Sequence, residues 1–176
     1  IGNQSGNPRT GAAIGAALGA LAGYAIHKSR TRQTQTPQQT YEQYDYEPQQ
    51  GFQLDVREGD ITPSAVEPGG TVKATMEYAT LGTDGGVRVQ EARVLKTQDD
   101  SLTLDEETVT RSDGTWQNTL EFQVPKDAPT GQYRVTQKVA ARGKSASEML
   151  IFDVRPQQAQ ANGEPQRYVV TMHVEK

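Results

Sequence analysis

The sequence predicts a mainly β protein, an antiparallel sandwich of about seven strands preceded by a glycine-rich helix and a disordered polar linker. Three observations carry that prediction. Between Phe52 and Arg155 apolar and polar side chains alternate with period two in several runs. Turn formers such as Pro68-Gly69-Gly70, Asp84-Gly85-Gly86 and Asp113-Gly114 separate the runs at intervals that suit short antiparallel strands. Near the start of the chain, Gly11, Gly15, Gly19 and Gly23 recur at a strict four-residue interval inside an uncharged stretch.

The helix comes first. A four-residue spacing places Gly11, Gly15, Gly19 and Gly23 on one face, and Ile14, Leu18, Leu21 and Ile26 stand among alanines on the others. Each glycine inside a helix in water costs up to ~1 kcal/mol relative to alanine. A bare glycine face is useful in lipid, where close backbone approach of a second helix drives association. The uncharged stretch would reach about 24 Å as a helix, short of a ~30 Å hydrocarbon core, so it would span only with thinning or snorkelling. His27, Lys28, Arg30 and Arg32 follow at once and are expected at the membrane interface, with their cations among lipid head groups. Before the helix, Gly2 to Thr10 is dense in turn formers, with Thr10 placed to cap it.

Ile1-Gly2-Asn3-Gln4, a turn and a Gly-xxx-Gly series together resemble the second half of the glycine-zipper hairpin of bacterial outer-membrane lipoproteins and small surface antigens. The resemblance covers about the first thirty residues. It implies membrane insertion, self-association through the glycine face and an upstream lipidated cysteine. The implied location is the bacterial cell envelope, at the outer membrane, with the sandwich in the periplasm. The expected partners are membrane lipid, further copies of the chain, and an envelope protein or glycan.

The expected organisation is therefore a zipper segment at 1–32, a Gln/Tyr-rich linker at 33–50, the sandwich at 51–156, and a second linker with one further strand at 157–176. The first linker has almost no aliphatic residue and so little apolar area to bury. Tyr41, Tyr44 and Tyr46 within it are candidates for partner binding, the alternative being that they lie on the adjacent domain.

Within the sandwich, Phe52/Leu54/Val56, Val72/Ala74/Met76/Tyr78, Trp116/Leu120/Phe122/Val124 and Tyr133/Val135/Val139 are the expected core faces, with Trp116 buried. The alternation slips near Gln90 and Glu91, which predicts a bulge there. About a hundred residues in seven strands is the usual size of an immunoglobulin-like sandwich. The stretch Val124 to Val135 resembles the connection into a late strand of bacterial immunoglobulin-like and macroglobulin-type envelope domains. Tyr168 to Val174 also alternates and reads as an extra strand.

Composition and motifs point away from chemistry. The formal net charge is -4 without a basic patch interleaved with aromatics, so no nucleic-acid partner is expected. With no cysteine there is no thiolate nucleophile or thiolate metal site, and His27 and His173 have no metal-ligand spacing. The acidic residues Asp99, Asp100, Asp105, Glu106 and Glu107 lack EF-hand order and read as a solvated strand edge. The sequence thus predicts no catalytic residue, no cofactor and no metal, and a non-enzymatic role.

Overall fold

The computed structural model describes residues 23–57 and 59–156. They form two facing sheets, the sandwich expected of an immunoglobulin-like domain. In chain order the elements are β1 (Ala25–Gln35), α1 (Pro37–Tyr44), a 3-10 turn (Pro48–Gln50), β2 (Gln53–Val56), β3 (Asp60–Thr62), β4 (Ala65–Val66), β5 (Thr71–Leu81), β6 (Val87–Lys96), β7 (Ser101–Arg111), β8 (Gly114–Gln123), β9 (Gly131–Ala141) and β10 (Lys144–Val154). The first sheet runs β1-β8-β5-β2, with β3 also on β5, and the second runs β4-β10-β9-β6-β7. Every pairing is antiparallel except β4 with β10.

The sandwich starts well before residue 51. Gly23 sits in a turn at φ 84°, outside any helix, and Tyr24 is followed directly by β1. His27, Lys28, Arg30 and Arg32, expected to flank a membrane helix, lie instead in β1, which pairs with β8 from Ala25↔Gln123 to Gln35↔Thr115. The backbone there is satisfied by the sheet, and Arg32 Nε donates to Gln117 Oε1 at 3.0 Å. Gly11, Gly15 and Gly19 lie outside the described residues, as does the strand expected at Tyr168 to Val174.

Residues 33–50 are not a disordered linker either. The end of β1 gives way to α1, which is started by a capping box in which Thr36 and Gln39 satisfy each other's backbone N–H groups, with Pro37 in the first turn. Thr40 is buried against β8, its hydroxyl 3.1 Å from that of Thr115. The apolar area that aliphatic residues would supply comes from tyrosine rings, a contribution a search for aliphatic runs overlooks.

Inside, the core falls into two apolar clusters. One, at the β1 entry end, gathers Val72, Leu120, Phe122, Tyr133, Val135 and Phe152, with Tyr24 packed against it. The other, at the opposite end, gathers Met76, Tyr78, Val87, Val89 and Val139. The alternation of β6 does not slip at Gln90 and Glu91: Val87, Val89, Glu91, Arg93 and Leu95 are all buried in one phase. What breaks the sequence pattern is charge on the inward face. The register shift occurs farther along, between Arg93 and Val94 against β7. Trp116 is only partly buried, at the margin of the second cluster, with Arg111 stacked 4.8 Å from its ring centroid and its indole N–H donating to Ser112 O at 3.1 Å.

Candidate functional site

A polar stratum separates the two apolar clusters. Arg93, fully buried, donates from Nε to Gln137 Oε1 and from Nη2 to Asn118 O, each at 2.8 Å, and its Nη1 faces Asp105 Oδ2 at 3.5 Å. Beside it, Glu91 accepts from Tyr78 and Asn118 and pairs with Arg111 at 2.7 Å. Gln137 also donates to Glu148 Oε1 at 3.0 Å and Thr75 O at 2.9 Å, so the groups bridge both sheets. Burial pushes the Arg93 guanidinium below its ordinary pKa, against the pull of Asp105, Glu91 and Glu107. Burial, reinforced by the neighbouring carboxylates, pushes Glu107 up, and burial also raises Asp105 against the pull of Arg93. These side chains are spent on one another. Such a layer fixes which residues of the two sheets stand opposite, because sliding by one pair would leave buried charges unmatched.

A second feature lies at the end away from Tyr24. A cleft of about 410 Å³ is lined by the rings of Tyr41, Tyr46 and Phe52 and by the charged groups of Asp84, Asp113 and Arg142. Its walls are the α1 segment, the turn after β5, the β7–β8 turn and the β9–β10 hairpin. Tyr41 and Tyr46 have ring centroids 5.1 Å apart. Tyr41 donates to Asp113 Oδ2, Tyr46 donates to Gly51 O at 3.2 Å, and Arg142 Nη2 donates to Thr83 O at 2.9 Å while Nη1 pairs with Asp84 at 3.5 Å. The hydrogen bond to Asp113 is the main reason that the Tyr41 hydroxyl is pushed up to about 12. Burial pushes Asp113 upward, but hydrogen bonds from Thr83 and Tyr41 outweigh it and hold the carboxyl below its ordinary range. Gly82, at φ 66°, permits the close approach, since a Cβ there would lie 2.9 Å from Gly51 O.

Of the sequence candidates, the structure brings Tyr41 and Tyr46 together in this cleft. Tyr44 turns to the neighbouring face, where its hydroxyl donates to Asp55 Oδ2 at 3.1 Å, and burial pushes it up to about 12. All three tyrosines lie against the sandwich rather than on a free spacer. Arg142, Asp84 and Phe52 were not foreseen as site residues. The one signal for them was the pair of turns Asp84-Gly85-Gly86 and Ala141-Arg142-Gly143-Lys144, whose spatial meeting the sequence does not encode. Among the described residues no group of His, Cys, Asp and Glu could hold a metal ion, and no helix is long and apolar enough to cross a membrane.

Comparison with known proteins sets these findings in context. None of the curated proteins matches the chain. Similar solved structures include the alkylpurine DNA glycosylase AlkC of Pseudomonas fluorescens, at 12% identity over 58% of this chain and 30% of that one, TM-score 0.45. The sporulation control protein Spo0M of Bacillus subtilis is 17% identical over 57% of this chain and 49% of that one, TM-score 0.39. The CARDB domain of a Pyrococcus furiosus protein, solved with di-metal ions, is 17% identical over 59% of this chain and 94% of that one, TM-score 0.45. The chain thus spans less than half the length of the glycosylase and of Spo0M. A family model of the outer-membrane type, described as a glycine zipper, matches residues 1–34, and that segment associates the chain with the bacterial cell envelope.

Proposed function

We propose that the chain is a non-enzymatic envelope protein in which a self-associating, membrane-embedded glycine zipper holds the sandwich end-on at the membrane surface, with the sandwich in the periplasm. The observation that carries this reading is the junction. The zipper match extends to residue 34, yet β1 begins at Ala25 and the Tyr24 ring is seated between Phe122 and Tyr133, with centroids 6.1 and 6.2 Å away. The chain therefore enters the folded core directly at Tyr24, and whatever holds the segment before it orients the sandwich too. At ~3.3 Å per residue, Arg32 stands about 23 Å along β1 from Ala25, so in an end-on arrangement it is far from the head groups. Arg30 and Arg32 then act as guards of an exposed sheet edge, a usual use of charge in edge strands.

Carbonate extraction of membranes from cells expressing the full chain tests the anchoring. Retention in the membrane pellet is expected, and release into the supernatant would favour a soluble assembly subunit instead. Association through the zipper predicts that Gly15→Leu with Gly19→Leu lowers the oligomer mass in detergent without loss of the β-sheet circular dichroism signal. An unchanged mass would remove the self-association. The cleft at the far end from the junction favours a second reading, in which the zipper merely localises a module that binds an envelope protein or glycan.

A further inference from the structure

We propose that the distal cleft is a binding site for a short neutral glycan. The inference rests on the cleft alone and does not depend on how the chain is anchored.

Backbone conformation singles out this end of the molecule. Among the described residues three non-glycine residues take left-handed conformations: Asp45 at φ 47°, Asp84 at φ 56° and Arg142 at φ 47°. Asp84 and Arg142 line the cleft and pair with each other, and Asp45 sits between Tyr44 and Tyr46 at the end of α1. This conformation is disfavoured for residues that carry a Cβ, less for Asp than for Arg, and strain of this kind gathers where side chains must be aimed. In the β9–β10 hairpin, Arg142 holds the first central position of a two-residue turn, where Asn, Asp or Gly is the usual occupant. The strained turn directs its guanidinium over the Phe52 ring, 5.2 Å from the centroid, and onto the Gly82–Asp84 backbone.

The lining then selects the class of ligand. Tyr41, Tyr46 and Phe52 offer apolar ring surface, and the exposed Asp84 carboxylate and the Arg142 guanidinium offer acceptors and donors beside it, while Asp113 is held by Tyr41 and Thr83. A ligand that alternates C–H faces with hydroxyl groups matches both kinds of surface. Two carboxylates are set against the Arg142 guanidinium and the Lys144 ammonium 5.9 Å from the Phe52 centroid, so the lining carries no strong net charge to select an ion of either sign. The Asp84 side chain is 87% exposed, and nothing lies within 4 Å of the Cβ positions of Gly51 and Gly85, so a carboxylate and two stretches of backbone are open to a ligand. The volume of about 410 Å³ falls within the ~300–1,000 Å³ of small-molecule sites.

The test is a titration of the ¹⁵N-labelled full chain in detergent with chitotetraose, cellotetraose and maltotetraose, each to about 5 mM, high enough to read a Kd near 1 mM. Saturable shifts of the Gly51, Gly82 and Gly85 amides by at least one sugar are expected. Asp84→Asn, a change at an exposed rim residue, should weaken that sugar at least about fivefold, and Tyr46→Ala should abolish binding. Thr119→Ala, on the outer face of the first sheet, should leave it unchanged. No shift with any of the three sugars overturns the proposal. So does an Asp84→Asn chain that binds as well as the parent, or a cleft that responds only to a tetra-alanine peptide, which would give it to a protein partner.

Discussion

Replacing Arg93 with Met isolates the contribution of the polar stratum. Methionine keeps most of the buried stem but strands Gln137 Oε1 and removes the bond to Asn118 O, each now at 2.8 Å, while Asn118 keeps its strand pairing on both sides. The stranded acceptor costs ~1–3 kcal/mol and the lost second bond about 1 kcal/mol more. Loss of the cation near Asp105 adds to this, and apolar packing of the new side chain subtracts. The net expectation is about 3–5 kcal/mol, the range measured when one partner of a buried ion pair is removed. That is a large part of the ~5–15 kcal/mol that holds a domain folded. Urea unfolding of the full chain in detergent, followed by fluorescence of the lone Trp116, reads it directly. With a slope of ~2 kcal/mol per molar, the midpoint should fall by about 2 M. A loss below about 1 kcal/mol would refute the reasoning, because the stratum would then be replaceable by apolar packing and could not set the register of the sheets.

Other expectations follow from the same geometry. Trp116→Ala should cost about 2 kcal/mol, well under the ~3–5 kcal/mol of a fully buried aromatic, because the ring is only partly covered; a thermal melt checks this. Tyr24→Ala should destabilise the entry-end cluster by about 3 kcal/mol and expose the junction at residue 23 to limited proteolysis. Asp113, with its pKa held low in the fold, contributes stability above the ordinary carboxylate range that is lost as pH falls through its folded value. Asp113→Asn should therefore weaken the chain near neutral pH and converge with the parent in acid, as a series of melts against pH will show. Glu107 has the opposite sign. With its pKa raised it opposes folding at neutral pH, so Glu107→Gln should raise Tm there and lose the gain once pH drops below the ordinary Glu value.

The sandwich was legible because its strands obey period two and its turns carry Gly, Pro and Asp. Val72, Ala74, Met76 and Tyr78, and likewise Leu120, Phe122 and Val124, are buried in the phase that the alternation indicates. Two things hid the rest. Glu91 and Arg93 occupy inward positions of β6, and a pattern of hydrophobicity scores them as outward; only their bonds to Tyr78, Arg111 and Asn118 on the one hand and to Asp105, Gln137 and Asn118 O on the other make that phase tolerable. The β1–α1 segment escaped because its folding relies on capping, threonine hydroxyls and tyrosine rings, none of which contributes to an aliphatic periodicity. The cleft was half legible, since Tyr41 and Tyr46 stood out by composition. Arg142 comes from a hairpin a hundred residues away, and no local spacing could have joined it to them.

The direct run of Tyr24 into β1 has a mechanical consequence for the anchoring proposed above. A pull between the zipper end and the far end of the sandwich acts along the axis of β1, whose ladder to β8 runs nearly its whole length. Tension in that direction shears the ladder, so its hydrogen bonds share the load and must slide together, whereas a pull across the strand would peel them one at a time. Tyr24, wedged between Phe122 and Tyr133, stands at the point where the tension enters. Under that anchoring the domain would be braced as a strut, stiff along its length and weakest to a force from the side.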